Sequence, residues 1–440
     1  MQDCRANALS TTSSDAVAAL DAATAELNAF HGDPVGTIVA ALKDQPDFVM
    51  GHVFLATVFA TSMDRTFDGY MDRALSAAEA LTANANPRER AYIAAARRWR
   101  SDDFEGATEA WGEIAVDSPR DIFAIQMAQQ GDFFLGRSLM LRDRIARVLP
   151  HWDESVPGYG FVLGMQAFGL EECGDYRRAE AVGREAVSRN PQDSWGTHAV
   201  AHVLEMEGRA EEGAQWLRGT EPDWTENGLL ACHNAWHLAL AELESGNPAG
   251  ALATYDRGIL TLGLTQALQL CDASALLWRL SALGHDVGDR WGAVADAWEP
   301  RAEQGLYAFN DMHAVMAFAS TGRDAAITRL LRAMETAARA PLVNALMTRE
   351  VGLATVHGIA AFADRNYATA LAHLMPVLPK LSLSGGSHAQ RDVFHWTATE
   401  AALRAGNRPL ATALAAERRA SRPHSPINRG FAARAAQLPA

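Results

Sequence analysis

A short turn sequence followed a few positions later by a small residue recurs along this chain, and its spacing limits the folds available to it. The clearest copy is Gly174-Asp175-Tyr176, with Ala179 as the small residue and Pro191 twelve positions beyond it. The equivalent anchor positions in seven copies are Ala107, Ala179, Gly213, Ala251, Ile327, Ala370 and Ala411. They lie 72, 34, 38, 76, 43 and 41 residues apart, and weaker copies near Arg142 and Ala293 divide the two double intervals. A period of about 34 to 43 residues is typical of tetratricopeptide and related helical hairpins.

The residues between the anchors favour helices throughout. Apolar residues recur at spacings of three and four, and the alternation expected of strands is rare. A small anchor residue lets the two helices of a hairpin approach closely, while glycine or asparagine in the turn tolerates a left-handed backbone. We therefore predict an all-α fold, a tetratricopeptide-like α-solenoid of about nine helical hairpins forming a curved or closed superhelix. We expect residues 1–440 to form a single repeat domain.

Charge and cysteine content narrow the classes of partner and location. The formal net charge is -14 and the pI is about 5.5, so nucleic acid and anionic membrane surfaces are unfavourable partners. No apolar run approaches membrane-spanning length, and the first residues do not resemble a signal peptide. The four cysteines are far apart and form no CxxC motif. These features predict a soluble cytoplasmic protein without a disulfide framework.

Two histidine pairs stand out among the polar residues. His198 and His202 are four apart and are followed by Glu205, while His233 and His237 repeat the spacing 35 residues later. A spacing of three or four places side chains on one face of a helix. Measured back from the anchors, both pairs fall on the first helices of adjacent hairpins, which line the concave surface of such repeats. We therefore predict that the two pairs share one cavity.

Three interpretations of this cavity remain open. The four histidines offer nitrogen ligands to a divalent transition metal such as zinc. Alternatively, the histidines act as general bases, with Glu205 orienting a ring nitrogen, since imidazole titrates near neutrality. The third interpretation is an inert buried polar network. The predicted catalytic residues are His198, His202, Glu205, His233, His237 and Asp311.

Asp311 and His313 could extend the cavity from a third inner helix. The two are about 200° apart around a helix, so they cannot both face one centre. Asn310 or Asp311 is a suitable N-cap for a helix starting near Met312, in which case His313 points inward. Two tryptophans near the histidine pairs, Trp195 and Trp236, are predicted to wall the pocket, although most tryptophans in a repeat array pack between hairpins.

A third group of basic residues follows the turn Gly385-Gly386-Ser387. His388, Arg391 and His395 are three and four apart, so they share one helix face. An arginine beside a glycine-rich turn and a helix N-terminus can bind a carboxylate or phosphate. A salt bridge from Arg391 that locks adjacent repeats is an equally reasonable interpretation.

Several longer phrases carry a family resemblance over nearly the whole chain. They are Leu9-Ser10-Thr11-Thr12-Ser13, Phe48-Val49-Met50-Gly51-His52, His198 through Met206, Ala231-Cys232-His233-Asn234 with Trp236-His237, Phe309-Asn310-Asp311 with His313, and Ala389-Gln390-Arg391-Asp392-Val393-Phe394. In these phrases the chain resembles the tetratricopeptide repeat protein 38 family. The resemblance implies a curved tetratricopeptide-like fold and no settled activity. It adds Asn234, Asp311, His313, Gln390 and Arg391 as expected neighbours of the histidine site. The chain departs from the family pattern at Leu204, His388 and His395.

These observations favour an enzyme that processes a small polar or anionic molecule, such as a metal-assisted hydrolase or lyase. The predicted ligand-binding residues are Asn234, His313, Arg391, Gln390, Trp195 and Trp236. The alternative is a non-catalytic scaffold that binds a peptide or protein on the concave face, which is the common use of helical solenoids. The fold alone does not distinguish the two.

Overall fold

Helices account for the regular secondary structure of the protein. A computed structural model describes residues 1–226 and 228–439, and within these ranges the extended pairings are two isolated bridges, Gln2 with Ala8 and His31 with Gly228. The prediction of an all-α fold is confirmed in this respect. Over the same ranges, no helix has both the length and the apolar character needed to cross a bilayer.

The chain divides into two compact units, one formed by residues 1–200 and 220–231 and the other by residues 201–219 and 232–440. The first ten helices belong to the first unit: Ser14–Ala29 (α1), Pro34–Asp44 (α2), Val49–Ala60 (α3), Asp68–Ala80 (α4), Pro87–Arg100 (α5), Phe104–Asp117 (α6), Ile122–Phe134 (α7), Ser138–Val148 (α8), Tyr159–Glu171 (α9) and Tyr176–Arg189 (α10). The chain then passes between the units through Ser194–Met206 (α11), Ala210–Gly219 (α12) and Glu221–Thr225 (α13).

The remaining helices lie in the second unit, apart from the first residue of α14. They are Ala231–Glu244 (α14), Pro248–Tyr255 (α15), Ala267–Ala282 (α16), Arg290–Trp298 (α17), Ala308–Ser320 (α18), Asp324–Ala337 (α19), Val343–Met347 (α20), Leu353–Ala363 (α21), Tyr367–Leu374 (α22), His388–Arg404 (α23), Arg408–Ser421 (α24) and Pro426–Gln437 (α25). Short 3₁₀ segments lie at Arg65–Phe67, Leu149–His151, Glu299–Arg301 and Leu378–Ser384, and π-helical segments lie at Asp256–Leu260 and Thr348–Gly352.

The small anchor residues lie where helices pack against each other. The alanines at five anchors, Ala107, Ala179, Ala251, Ala370 and Ala411, have no exposed surface. On α19, Ala326 is buried and the predicted anchor Ile327 is only half-buried. A larger side chain at any of these positions would push two helices apart, since protein interiors are close-packed.

The turns between helices also follow the sequence pattern. Gly208 has a φ of 72°, a left-handed conformation that favours glycine. A Cβ at Gly208 would lie 3.1 Å from Cβ of His424 and 3.2 Å from its carbonyl carbon, so a side chain there would require His424 to shift by a few tenths of an ångström. Close approach therefore fixes this turn against the C-terminal segment of the same unit.

In the second unit, four helices enclose a core. Helix α16 packs on α18, α18 on α21, α21 on α23, and α23 returns to α16. Helices α17, α19, α22 and α24 pack against these four from neighbouring positions in sequence. Because helices α16 and α18 are buried around most of their circumference, polar residues on them lie in a largely dry interior.

One predicted local feature is wrong. Helix α18 begins at Ala308, with Tyr307 as its N-cap, so neither Asn310 nor Asp311 caps a helix starting near Met312. Both residues lie instead in the first turn of α18 and are buried. The helix starts earlier because Ala308 and Phe309 are both fully buried, and their packing extends it towards the N-terminus.

Helix α11 begins beside a buried carboxyl group. Asp193 accepts a hydrogen bond at Oδ1 from the backbone N–H of Gly196, 2.9 Å away, and its other oxygen packs against Gly164 and Gly196. Burial raises the pKa of Asp193 from 3.8 to about 7. A carboxyl group that holds its proton more tightly in the folded state makes stability fall as pH rises from about 4 to about 7.

We expect Asp193→Asn to remove this dependence, because an amide keeps the Oδ1 acceptor and does not titrate. The difference in unfolding free energy between the variant and the wild type should grow by about 3 kcal/mol in favour of the variant from pH 4.5 to pH 7.5. Urea denaturation at the two pH values measures this difference. Asp103→Asn is the matched control, because Asp103 caps Gly106 in the same way but is partly exposed. An equal change in both variants would contradict the assignment.

Candidate functional site

Three histidines of the second unit come together on helices α11 and α14. His202 lies on α11, and His233 and His237 lie one turn apart on α14. The ring centroids of His202 and His237 are 4.5 Å apart, and those of His233 and His237 are 4.8 Å apart. Each of the three offers a ring nitrogen, and these nitrogens lie within 4.8 Å of one another. The four-residue spacing on α14 produces this convergence, because it places both rings on one face.

Two of these histidines are held by carboxylates. His237 Nδ1 lies 2.9 Å from Oε2 of Glu205, and His233 Nδ1 lies 2.8 Å from Oδ2 of Asp272 on α16. With an ionised carboxylate as the acceptor, Nδ1 carries the proton and donates it to the hydrogen bond. The lone pair of each neutral ring then resides on Nε2. This arrangement fixes the tautomer and the orientation of a metal-ligating or basic imidazole.

Burial keeps His237 in the neutral form. Its side chain is about 1 % exposed. Loss of hydration, followed by the neighbouring His202 and His233 rings, lowers the pKa of His237 well below its usual value of 6.5. A neutral imidazole is the form that binds a metal or accepts a proton.

The side chain of Trp236 packs against two of the histidines, and Arg279 packs against Trp236. The indole of Trp236 stacks on His233 with ring centroids 5.3 Å apart and meets His237 edge-on at 4.8 Å. The guanidinium of Arg279 lies between Trp236 and Trp396, 5.6 and 5.8 Å from their ring centroids. It donates to the carbonyl oxygens of Ala275 and Ala389. These contacts restrict the rotamers of the site residues, because each neighbouring side chain is itself fixed.

Arg279 is nevertheless an unusual residue to bury. Its side chain is almost fully enclosed, and burial lowers its pKa to about 10. It therefore remains positively charged at neutral pH. A buried permanent cation beside the histidines makes the surroundings of the site favourable for negative charge.

An ionic network connects Glu205 to the C-terminal helices. Arg422 Nη1 lies 3.4 Å from Oε1 of Glu205, and Arg422 Nη2 lies 3.9 Å from Oδ1 of Asp392. Arg418 binds both oxygens of Asp392, at 2.9 and 3.1 Å. Burial alone would raise the pKa of Asp392, but Arg418, Arg422 and Arg279 outweigh it and hold this pKa well below its usual range. Asp392 is consequently ionised.

A small cavity of about 40 Å³ opens beside these groups. Its walls include Glu205, His237, Arg279, Asp392 and Arg422. A cavity of this size has room for a few water molecules, because one water needs roughly 10–15 Å³ of cavity volume. The cavity therefore brings a histidine, three carboxyl groups (Glu205, Glu244 and Asp392) and two arginines into contact with the same small volume.

The structure places His198 and Trp195 in packing positions. His198 lies one turn before His202 on α11 and belongs to the first unit. Its ring packs on Trp195 and Phe168, at centroid distances of 4.8 and 5.4 Å. Trp195 also stacks on Phe30, at 5.3 Å. The contacts of Trp195 are thus those of a core aromatic residue in the first unit.

The other predicted residues on α14 and α18, namely Asn234, His313 and Asp311, are buried in the second unit. Asn234 is fully buried on α14. His313 Nδ1 lies 2.8 Å from the carbonyl oxygen of Phe309, and burial lowers the pKa of His313 to about 4. Burial raises the pKa of Asp311 well above its usual value. Of the residues that line the small cavity, none belongs to α18.

Gln390 and Arg391 shape the start of α23. Gln390 and the N-cap Ser387 form a reciprocal capping box. Arg391 donates to the carbonyl oxygens of Gly385 and Gly386 and thereby ties the glycine turn to the helix. Neither residue lines the small cavity, although Arg391 lines a larger one described below.

Sequence reasoning missed four residues of the site, namely Asp272, Arg279, Asp392 and Arg422. The sequence does contain an indication of Asp272. It is a lone acidic residue in an apolar segment, and it follows His233 by 39 residues, an interval within the predicted repeat period. Asp392 lies within a phrase that carries the family resemblance. The residues around Arg279 and Arg422 in the sequence do not indicate a role in the site, because the positions of both arginines depend on the packing of α16 and α24.

No protein-family model matches the chain.

We expect His237 to remain neutral at pH 6 in chelator-treated protein, where an imidazole in water is largely protonated. The ring ¹⁵N shifts of His237, assigned with a His237→Gln variant, measure its protonation. A histidine with a lowered pKa binds fewer protons when folded than when unfolded, so stability should fall as pH drops below about 6.5. A titration midpoint of His237 at or above 6.5 would contradict the burial argument.

Proposed function

We propose that His202, His233 and His237 bind a divalent transition metal such as zinc, and that the protein is a metal-assisted hydrolase or lyase acting on a small polar or anionic molecule. One observation carries the proposal. Two of the three converging imidazoles have Nδ1 within hydrogen-bond distance of a carboxylate, and metal-ligating histidines typically donate their other ring N–H to such a group.

The chemistry of the donor set fits zinc. Three neutral imidazoles leave one position of a tetrahedral ion open to water or substrate, as in catalytic sites. Zinc–nitrogen bonds of about 2.1 Å place ligand nitrogens roughly 3.4 Å apart, so the nitrogens, now within 4.8 Å of one another, need to move inward by small rotations only. A bound ion would supply Lewis acidity to a water or a carbonyl oxygen.

The charged residues around the site have separate roles in this proposal. Glu205 and Asp272 hold the tautomers of His237 and His233 and raise their basicity as ligands. Arg279 and Arg422 provide fixed positive charge for an anionic substrate or a developing negative charge. Glu205 also faces the small cavity, where it can accept a proton from a water molecule.

The sequence also predicted His198 as a ligand, because its spacing places it on the same helix face as His202. A fourth imidazole would fill the open position of a tetrahedral ion, so the proposed ligand set consists of the other three histidines. We further propose that the hairpins form a tetratricopeptide-like solenoid of about nine repeats related to the tetratricopeptide repeat protein 38 family. Buried alanine anchors at the predicted spacing support this arrangement.

We expect the protein to bind one zinc ion per chain after chelator treatment and reconstitution, as measured by calorimetry and elemental analysis. His233→Ala and His237→Ala should abolish binding, since each removes a ligand. Asp272→Asn should weaken binding about 10- to 100-fold, because it leaves the ligands intact but loosens the orientation of His233. His198→Ala tests whether His198 is a fourth ligand.

Two matched controls accompany these variants. His424→Ala removes an exposed histidine, and Asp286→Asn neutralises an exposed aspartate of the same unit. Both should bind zinc as the wild type does. The metal assignment is wrong if the reconstituted wild type holds no stoichiometric metal, or if the His237→Ala variant holds as much as the wild type.

An open coordination position distinguishes a catalytic centre from a structural one. We expect the cobalt(II)-substituted protein to show visible bands that shift when thiocyanate is added, because thiocyanate would replace a water ligand. The control is the His233→Ala variant, which should show no protein-bound cobalt spectrum. A spectrum that thiocyanate leaves unchanged would indicate a closed site and contradict the enzyme assignment.

A further inference from the structure

A second, larger cavity lies in the second unit, on the other side of Asp392 and Arg422. Its volume is about 310 Å³, and it is bounded by the 3₁₀ segment Leu378–Ser384, helices α23 and α24, and the segment before α25. This volume is within the range of small-molecule pockets. The two cavities share Asp392 and Arg422 as walls but differ in the rest of their lining, which mostly comes from different elements.

One side of this larger cavity is apolar. Leu378 and Leu381 from the 3₁₀ segment, Leu414 from α24 and Met206 from the end of α11 contribute to it. All four side chains are at least nine-tenths buried. A hydrocarbon group of a ligand would be desolvated against this surface, which is favourable at about 25 cal/mol per Å² of apolar area.

The other side is basic. Arg391, Arg418 and Arg422 contribute three positive charges, and Asp392 and Glu417 contribute two negative charges, so the net charge of the lining is +1 before any histidine is protonated. His388 and His395 add two imidazoles to the same wall. The lining of this cavity is positively charged, whereas the whole chain has a formal net charge of -14.

The basic side is also rigid. Arg418 is fixed by both oxygens of Asp392 and by Oδ1 of Asn428 at 2.9 Å, and Arg391 is fixed by the carbonyl oxygens of the glycine turn. The cavity also contains the start of α23, whose N-terminus carries the positive end of the helix dipole. Cations held in place in this way bind an anion at little reorganisation cost.

We infer that the larger cavity binds a small organic anion with an apolar part, its carboxylate or phosphate facing Arg391 and its hydrocarbon group lying on the leucine side. This inference goes beyond the proposed function, because binding of the anion does not require a metal. The shared wall of Asp392 and Arg422 places such a ligand next to the cavity that His237 and Glu205 line.

The test measures binding of hexanoate, hexyl phosphate and hexanol to the full chain by calorimetry, first without metal and then with zinc. We expect both anions to bind at least about tenfold more tightly than hexanol, and their affinity to fall at high salt. The tighter of the two anions identifies the head group. Equal affinities for all three probes, or no binding of either anion at millimolar concentration, would overturn the inference.

Charge variants locate the ligand. Arg391→Gln should weaken anion binding about tenfold and leave hexanol unaffected, whereas Arg419→Gln, on the exposed face of α24, should have no effect. Glu417→Gln removes an exposed negative charge of the lining and should tighten anion binding several-fold, and it does not depend on a buried substitution. Equal weakening by Arg391→Gln and Arg419→Gln would indicate general surface attraction and overturn the inference.

The result is distinguishable from the outcome for the metal site. If zinc does not bind but hexanoate still binds in an Arg391-dependent manner, the metal proposal fails and the anion site stands. If hexanoate binds only with zinc and is lost in His233→Ala, the anion is a metal ligand and the separate site is overturned.

Discussion

The hydrogen bond between His237 and Glu205 is the interaction on which the rest of the polar interior depends. A buried imidazole beside two others cannot carry a proton without a large cost, so it must be neutral and oriented by an acceptor at Nδ1. Glu205 supplies that acceptor, and Arg422 in turn lies within reach of Glu205. The same pattern recurs at His233 with Asp272. Each site histidine on α14 therefore belongs to a series of hydrogen bonds and ion pairs that extends to residues distant in sequence.

The same series of ion pairs includes the residues that line both cavities. Arg422 contacts Glu205 on one side and Asp392 on the other, and Asp392 is held by Arg418. A buried carboxylate with two arginines is costly to disrupt, because removal of one partner leaves uncompensated charge in the interior. The wall that the two cavities share is therefore held by ion pairs on both sides of Arg422.

Much of this organisation follows from local patterns in the sequence. The all-α fold, the buried alanine anchors and the placement of both histidine pairs on the helices before those anchors depend on spacing along a helix, which the sequence records directly. The N-cap predicted near Met312 was wrong, because burial of Ala308 and Phe309 extends α18 beyond its polar start. The hydrogen-bond partner of His233 was also missed. Asp272 is a single acidic residue, and its role depends on the packing of its helix, α16, near α14.

The sequence by itself determined that the chain is helical and which residues share a helix face, since both follow from the periodicity of a regular helix. It therefore placed His233 and His237 together and marked the segment around Arg391 as basic. Only the tertiary structure decided that Glu205 serves His237, that Asp272 serves His233, and that Arg422 from the C-terminal segment reaches the same network. The reason is physical: contacts between residues as far apart as 205 and 422 depend on how successive hairpins stack, and small changes of angle at each turn accumulate over many helices.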